Sequence, residues 1–466
     1  MSSANSATSG YRSLLRTPGA AAFFFAAAVG RVGIAMTGLG LVWLLHARTG
    51  SYGTAGLATA CFAIAEALIG PQVARLIDRF GQSRVLPFAL LGHGAAIAGV
   101  LAATTPVAAI IAATCAGAAV PQLGALSSAR WAQLLRERRA DELPTAFSLE
   151  SMANATAYLL GPVLVTTLGA IGDTALACIL AATMIIGGGA ALAAQRRTEP
   201  PPARKQVKQL DHAHALAQPG RTLLRPAFLL VAALNLAIGL YFGTMSISVS
   251  SFAVGHGIPG EAAPIMAAAG LGGLLSGWLY GLRRRRAPAR RELVVVTAWL
   301  MATGLLLPLA PSAIWLGAAV VITEAAVPPT LVLLNVLTEK AVHPTALAQA
   351  FTWNNSASAA GSALAASLAG RAADQLGASA ALALAPAAGL VLLVLALSLS
   401  ATASATASAT ASATASATAP LATAPQRGMV SKSSLITANP PTSETAKPDP
   451  EGRSHARHRD PRRRCG

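Results

Sequence analysis

Residues 70–85 read Gly70-Pro-Gln-Val-Ala-Arg-Leu-Ile-Asp78-Arg-Phe-Gly81-Gln-Ser-Arg-Val85, a short charged segment between two long apolar runs. A glycine at position 81 permits the chain reversal that a tight turn requires. The carboxylate of Asp78 can cap a neighbouring helix or pair with a cation. The segment therefore predicts a hairpin turn at a membrane surface, with a membrane-crossing helix on each side.

The composition places the chain among integral membrane proteins. Apolar residues make up 54% and charged residues 11% of the 466 residues, whereas soluble domains are about 25% charged. The net charge of +17 does not indicate a nucleic-acid partner, because the basic residues fall between apolar runs rather than on one face with aromatic residues. The four cysteines, at 61, 115, 178 and 465, have no paired spacing and predict neither a disulfide framework nor a metal site.

Apolar stretches long enough to cross about 30 Å of hydrocarbon occur twelve times, in two groups of six. The first group covers residues 21–46, 53–74, 85–104, 107–129, 146–168 and 173–195. The second group covers residues 226–252, 262–282, 292–310, 313–337, 347–369 and 377–399. We expect an N-terminal segment (1–20), two six-helix bundles (21–195 and 226–400) and a linker between them (196–225).

The distribution of Lys and Arg predicts the orientation. With the N-terminus in the cytoplasm, the inner loops hold the basic residues of 75–84, 130–139, 196–225 and 283–291, whereas the outer loops hold Arg48 and Arg371. This bias follows the positive-inside rule along the whole chain. We therefore expect a multi-pass plasma-membrane protein with both termini in the cytoplasm. The linker is read as a segment on the anionic inner leaflet, without chemistry of its own.

After residue 400 the chain repeats Ala-Thr-Ala-Ser and then becomes rich in Pro, Ser and Arg. Such a segment lacks the large apolar side chains that offset ordering entropy. We therefore expect residues 401–466 to be a disordered cytoplasmic tail.

The two halves carry an internal repeat. Ala146-Phe-Ser-Leu-Glu-Ser matches Ala350-Phe-Thr-Trp-Asn-Asn, and a Pro-Thr pair lies upstream of each. The loop around Asp78 finds its counterpart near Gly277-Trp-Leu-Tyr-Gly281, also about 200 residues away. A parallel repeat of six spans is the arrangement expected of a transporter whose halves rock about a site between them.

The turn at residues 74–84 resembles the loop signature between the second and third spans of the major facilitator superfamily, roughly Gly-x-x-x-Asp-Arg-x-Gly-x-(Arg/Lys)-(Arg/Lys). It is matched by Asp78, Arg79, Gly81 and Arg84, and it departs from the signature at Ala74 and Ser83. The resemblance, over residues 21–400, implies an all-α membrane fold of twelve helices in two pseudo-repeats. It also implies a conformational latch at the turn, formed by Asp78, Arg79, Gly81 and Arg84. The alternative is that Asp78 and Arg79 only solvate the turn.

Two further features bear on the direction of transport. Gly161-Pro162 in the fifth span resembles the core of the motif of proton-coupled exporters. The fourth-span arginine of many such exporters is absent, because 107–129 contains no basic residue.

Ionisable side chains inside the spans are costly to bury and are therefore candidates for function. Arg31 and Glu66 lie at a similar depth, roughly 12 to 14 Å from the inner end of their spans, and are predicted to pair; alternatively, Glu66 exchanges protons. Glu324 lies near the middle of the tenth span, either as a protonation switch or as a hydrogen-bonded structural acid. His93 suits proton transfer but equally suits packing.

Polar side chains in the spans are candidates for a mostly apolar cavity, and hydrogen bonding between helices is the equal alternative. They are Asn154, Tyr158, Asn235, Tyr241, Trp353, Asn354 and Asn355.

These observations predict a proton-coupled secondary carrier, most consistent with efflux of a small, partly apolar solute. It is expected to act as a monomer, without a cofactor and with the proton gradient as its energy source. An uptake carrier of the same fold is the nearest alternative. A polytopic membrane enzyme or a scaffold is the alternative from another class, but the sequence contains no His-Glu-x-x-His cluster of the kind such an enzyme would need. The sequence also contains no Gly-x-x-x-x-Gly-Lys-(Ser/Thr) nucleotide loop, so an ATP-driven pump would need a separate subunit.

Overall fold

The computed structural model describes residues 10–136, 139–171, 173–203, 219–283 and 287–418. Within these ranges the chain forms helices joined by short turns, without strands. Contacts divide the chain into two units, 1–410 and 411–466. The first unit contains both halves, and the described part of the second, residues 411–418, is helical. The predictions for 137–138 and 284–286 in the basic loops, for 204–218 in the linker and for the tail beyond 418 concern residues outside the described ranges.

Apart from a short helical segment at residues 10–16 and a single 3-10 turn, the described part of the first half contains seven α-helices. They are α1 (Ala20–Thr49), α2 (Tyr52–Phe80), α3 (Gln82–Ala102), α4 (Pro106–Ala119), α5 (Leu123–Leu135), α6 (Leu143–Ala170) and α7 (Thr174–Ala194).

The described part of the second half also contains seven α-helices, apart from short 3-10 turns. They are α8 (Pro226–Gly255), α9 (Ala262–Leu282), α10 (Ala289–Gly304), α11 (Ala313–Glu324), α12 (Val327–Ala341), α13 (Leu347–Leu376) and α14 (Ala378–Thr418).

The predicted count of twelve spans agrees with this architecture. Ten segments of the described chain are long and apolar enough to cross a membrane, with α4–α5 and α11–α12 each counted as one segment. Two further helices, α10 and α13, occupy the predicted ninth and eleventh spans; α10 has only 16 residues, and α13 is rich in Ser and Asn. Many large side chains on the outer surface are apolar, such as Phe88, which is 76% exposed, and lipid is the environment that stabilises them.

The fourth and tenth spans are interrupted, at 120–122 and at 325–326. In the tenth span, Pro328 and Pro329 occupy the first turn of α12, where a missing N–H costs little. The freed carbonyl of Ala325 accepts a hydrogen bond from the hydroxyl of Ser276. Glu324 and Pro328, which are four residues apart, therefore lie on different helices rather than on one helical face.

Glycine residues bring helices unusually close together in both halves. A Cβ atom on Gly161 of α6 would lie 2.8 Å from the Cβ of Ala35 on α1. A Cβ atom on Gly361 of α13 would lie 2.1 Å from the carbonyl oxygen of Leu236 on α8. Only glycine allows backbones to approach this closely, so Gly161 sits at a tight helix crossing, directly before Pro162 within α6.

The halves meet at one end of the bundle, which carries Arg75, Arg79, Arg84 and Arg136 and is called the basic end below. There α2 packs against α13, and α6 packs against α9 and α12. The rings of Phe147 and Phe351, which match in the repeat, contact each other with centroids 5.9 Å apart. A contact between matching residues places them near the axis that relates the two halves.

The last helix extends beyond its predicted end. Residues 401–418, which composition assigned to an unstructured tail, continue α14. Alanine has the highest helix propensity, and extending an existing helix avoids the cost of nucleation, which accounts for the difference.

Candidate functional site

Asp78 at the basic end joins the two halves. Its Oδ2 accepts a hydrogen bond from the backbone N–H of Gln349 at 2.9 Å, and its Oδ1 accepts one from the N–H of Ala348 at 3.3 Å. Both donors lie in the first turn of α13, where backbone N–H groups have no partner within the helix and the helix dipole favours a negative charge. The partners shown for Asp78 are thus backbone groups rather than the arginines that the sequence also suggested.

The rest of the turn supports this geometry. Gly81 has a φ of 101° and lies between α2 and α3, where a side chain would be strained. The Ser83 N–H and hydroxyl both donate to Oε1 of Glu199, at 2.9 and 3.2 Å. Arg79 stacks over the ring of Phe80, and both Arg79 and Arg84 are exposed. The linker therefore takes part in the turn through Glu199, which the sequence did not predict.

Arg130 was placed in an inner loop by the sequence, and this was wrong. It lies in α5 and is fully buried, because the fourth span restarts at residue 123 and continues past the predicted end. Its guanidinium donates to Gln82 Oε1 at 2.7 Å and to the carbonyl oxygens of Leu192 and Gln195 at 2.8 Å. The two carbonyls belong to the end of α7, where such groups need partners.

The predicted pairing of Arg31 with Glu66 was also wrong. The guanidinium of Arg31 forms its ion pair with Glu150 of α6, and both side chains are buried. The hydroxyl of Ser127 donates to the other carboxylate oxygen of Glu150 at 2.6 Å. Glu150 lies inside the predicted fifth span, so the criterion that selected Arg31 would also have selected it.

Glu66 instead belongs to a hydrogen-bonded chain that crosses between the halves. Its Oε1 accepts from Nε2 of Gln122 at 2.6 Å, and Oε1 of Gln122 accepts from Nδ2 of Asn355 at 3.3 Å. Gln122 can contact both residues because it lies in the break of the fourth span. The structure therefore brings Glu66, Gln122 and Asn355 together.

Glu324 occupies a different place. It is the last residue of α11 and lies beside the buried hydroxyl of Tyr241 on α8, within the second half. That hydroxyl has no hydrogen bond of normal geometry. Glu324 and Tyr241 therefore form a polar pair inside one bundle rather than between the bundles.

The remaining candidates divide into internal and exposed side chains. His93 is buried, with Nδ1 3.0 Å from the carbonyl oxygen of Ala116. Asn235 donates to the carbonyl of Val231, and Asn354 donates to the hydroxyl of Thr338 at 2.7 Å. Each of these three side chains has its partner within its own half, which is the first half for His93 and the second half for the two asparagines. Asn154 and Trp353 are exposed, as is Tyr158.

A family model described as the Major Facilitator Superfamily matches residues 23–366. Because the match covers most of the chain, the protein belongs to this superfamily. It is accordingly a transporter rather than a membrane enzyme. No curated protein matches it.

Solved structures share its fold at low identity. The human organic anion transporter MFSD10 (TETRAN) is 16% identical, with a TM-score of 0.62 over 81% of this chain and 98% of the other. A bacterial homologue of the iron transporter ferroportin, in an outward-facing state, is 12% identical, with a TM-score of 0.64 over 82% and 99%. The transporter FucP, in the outward conformation, is 13% identical, with a TM-score of 0.62 over 82% and 99%. At these identities the likeness concerns the fold alone.

Proposed function

We propose that the protein is a proton-coupled secondary transporter that exports a small, partly apolar solute by alternating access. In this proposal the protein is a monomer in the plasma membrane, and its basic end faces the cytoplasm. The positive-inside distribution supports that orientation. The state described, with the halves joined at the basic end, is then closed to the cytoplasm.

The observation that carries the proposal is the chain from Glu66 through Gln122 to Asn355. An ionised Glu66 can only accept hydrogen bonds, whereas a protonated Glu66 becomes a donor. When the proton lies on Oε1, this oxygen offers Gln122 a donor, and Gln122 then rotates its amide to present its own oxygen, which turns that oxygen away from Asn355. Protonation of Glu66 in the first half thereby changes the contact between Gln122 and Asn355 of the second half. Coupling a proton to a rocking motion requires a change of this kind.

Glu66 is preferred to Glu324 for this role because of their positions. The hydrogen bonds of Glu66 lead across the boundary between the halves, which changes during alternating access. Glu324 and Tyr241 lie within one bundle, which moves as a unit. Exposed Tyr158, Asn154 and Trp353 supply the aromatic and amide surface for a partly apolar solute.

The first experiment identifies the solute and the direction. Growth of a sensitised strain across toxic compounds, with and without the protein, selects a solute. Its radiolabelled form is then followed in inverted membrane vesicles with an imposed pH gradient. Accumulation in the inverted vesicles, driven by an acidic interior, is expected for proton-coupled efflux. Accumulation only in right-side-out vesicles would instead establish uptake, and no solute-dependent pH change in proteoliposomes under any gradient would contradict transport coupled to protons.

The second experiment assigns the coupling residue. Glu66→Gln is expected to retain exchange of labelled for unlabelled solute but to lose dependence on the pH gradient. Glu324→Gln is the matched control, because it removes an acid at comparable cost from inside one bundle, and it should retain that dependence. The reverse result would transfer the coupling role to Glu324.

A further inference from the structure

Two of the contacts between the halves at the basic end are built differently. The end of α2 meets the start of α13 through the carboxylate of Asp78, and we call this contact the α2–α13 seam. The end of α9 meets the start of α6 where Thr145 donates to the carbonyl oxygen of Gly281 at 3.0 Å, and we call this contact the α6–α9 seam. Gly281 stands where the repeat would place an acid, so the second seam has no carboxylate at the position that matches Asp78.

Tyr11 fills this position. Its hydroxyl donates to the carbonyl oxygen of Trp278, near the end of α9, at 3.0 Å. A Cβ atom on Gly281 would lie 1.8 Å from that hydroxyl oxygen and 2.7 Å from the Cβ of Ser148 on α6. Tyr11 is therefore lodged between the two helices of the seam, in a space that exists because residue 281 is a glycine. Its side chain contacts both halves.

The segment that carries Tyr11 is fastened to the first half. The guanidinium of Arg139, in the turn before α6, donates to the hydroxyl of Thr17 at 2.8 Å and to that of Ser13 at 2.9 Å. Leu14 is fully buried in a core cluster made mostly of residues of the first half. The hydrogen bond from Tyr11 to Trp278 thus links a segment anchored on one half to a helix of the other.

We propose that Tyr11 is a gating residue that holds the α6–α9 seam closed and must leave it whenever the basic end opens. This inference rests on the alternating-access mechanism proposed above. When α9 separates from α6, the hydroxyl loses Trp278, so the hydrogen bond stabilises the closed state only. Burial raises the pKa of Tyr11 to about 12, so the hydroxyl remains a donor at every physiological pH and the contact does not depend on protons.

Cysteine labelling tests the role of Tyr11. The native cysteines are replaced, and a single cysteine is introduced at Ser148 in the α6–α9 seam or at Thr345 in the α2–α13 seam, both of which are buried. A membrane-impermeant maleimide is applied from the basic end. Tyr11→Phe removes only the hydroxyl, and loss of one neutral hydrogen bond is expected to speed labelling about fivefold.

The two reporter sites separate gating from local packing. A shift of the whole protein towards the open state speeds labelling at both positions, whereas loosening around Tyr11 speeds it at position 148 alone. Faster labelling at both positions supports the proposal. Faster labelling at position 148 alone, or at neither position, overturns it.

Matched variants complete the test. Tyr52→Phe, at the opposite end of α2, removes a hydroxyl away from both seams and should leave labelling unchanged. Asp78→Asn should speed labelling at both positions; if it does and Tyr11→Phe does not, the gating role fails and alternating access stands. If neither variant changes labelling, both proposals fail. Thermal unfolding in detergent confirms that each variant is folded.

A double-mutant cycle gives a second measurement. Gly281→Ala introduces the Cβ atom that collides with the hydroxyl of Tyr11 and should also speed labelling. In a Tyr11→Ala background the collision is removed, so Gly281→Ala should then have a smaller effect. Equal effects of Gly281→Ala in the two backgrounds would show that Tyr11 does not occupy the seam and would overturn the proposal.

Discussion

The two halves perform matching structural tasks with different chemistry. At the basic end, the α2–α13 seam depends on a carboxylate that accepts two backbone N–H groups, whereas the α6–α9 seam depends on neutral hydroxyls of Thr145 and Tyr11. Charge-assisted hydrogen bonds are roughly twice as strong as neutral ones. The closed state should therefore depend more on the first seam than on the second.

The same difference recurs at matching positions of the repeat. Glu150, the fifth residue of Ala146-Phe-Ser-Leu-Glu, forms a buried ion pair with Arg31. Asn354, the fifth residue of Ala350-Phe-Thr-Trp-Asn, makes a neutral hydrogen bond to Thr338. The first half thus uses charges where the second uses amides and hydroxyls. Substitutions at matching positions can test whether this difference has energetic consequences.

The largest effect is expected at Glu150. Glu150→Ala leaves the guanidinium of Arg31 buried without its partner, which typically costs about 3 to 5 kcal/mol. Asn354→Ala removes a neutral bond worth about 0.5 to 1.5 kcal/mol. Thermal unfolding in detergent should therefore show a much larger loss of stability for Glu150→Ala, accompanied by poor expression.

A paired replacement distinguishes the ion pair from simple packing. Arg31→Met combined with Glu150→Leu removes both charges and should recover most of the stability lost in Glu150→Ala. Equal destabilisation by Glu150→Ala and Asn354→Ala would show that the ion pair of Glu150 and the neutral hydrogen bond of Asn354 contribute equally to stability.

The next largest effect is expected at Asp78. Asp78→Asn removes the negative charge and keeps one acceptor oxygen, but it turns an N–H group of the amide towards the other donor of α13, so at least one hydrogen bond to a charged group, worth about 1.5 to 3 kcal/mol, is lost. The protein should remain inserted, open more readily at the basic end and turn over more slowly. Labelling of a cysteine at Thr345 should accelerate roughly 10- to 100-fold.

Asp374→Asn is the control for Asp78→Asn, because Asp374 is an exposed acid near the other end of α13. It should change neither labelling nor transport. Unchanged transport and labelling in Asp78→Asn itself would reject the latch and leave Asp78 as a residue that only solvates the turn.

Much of the fold could be predicted from the sequence. Span number and the special position of Asp78 depend on hydropathy and on a glycine-marked turn, which are local properties. The partner of Arg31 was missed because depth along a helix gives height but not direction around the axis, and α1 turns Arg31 towards α6 rather than α2. The burial of Arg130 was missed because the break at 120–122 changes where the fourth span ends.

The contacts that Gln122 and Tyr11 make between the halves were harder still to predict. Gln122 contacts both Glu66 and Asn355 because it lies in a helix break beside α13. The hydrophobic periodicity of the sequence does not predict this break. Tyr11 lies outside every predicted span, so hydropathy gives it no weight. The sequence indicates the place of Tyr11 only indirectly, because Gly281 leaves a space at the position where the repeat would place an acid.

The smallest effect is expected from the ion pair between Arg136 and Glu339, 3.3 Å apart across the halves. Both side chains are partly exposed, and such pairs contribute about 0 to 1 kcal/mol and weaken with salt. Arg136→Gln should therefore speed labelling of a cysteine at Thr345 by less than about fivefold, and high salt should abolish the difference. Lys340→Gln, next to Glu339 on α12, is the control.

The pair should also be insensitive to pH near neutrality. Burial, followed by the charges of Arg136 and Arg225, lowers the pKa of His343, so this neighbour gains its charge at a lower pH than an ordinary histidine does. Labelling in wild type and in Arg136→Gln should thus differ by the same factor at pH 7 and pH 8. An effect of Arg136→Gln as large as that of Asp78→Asn would contradict the comparison, because a solvated ion pair would then hold the seam as firmly as the carboxylate at the start of α13.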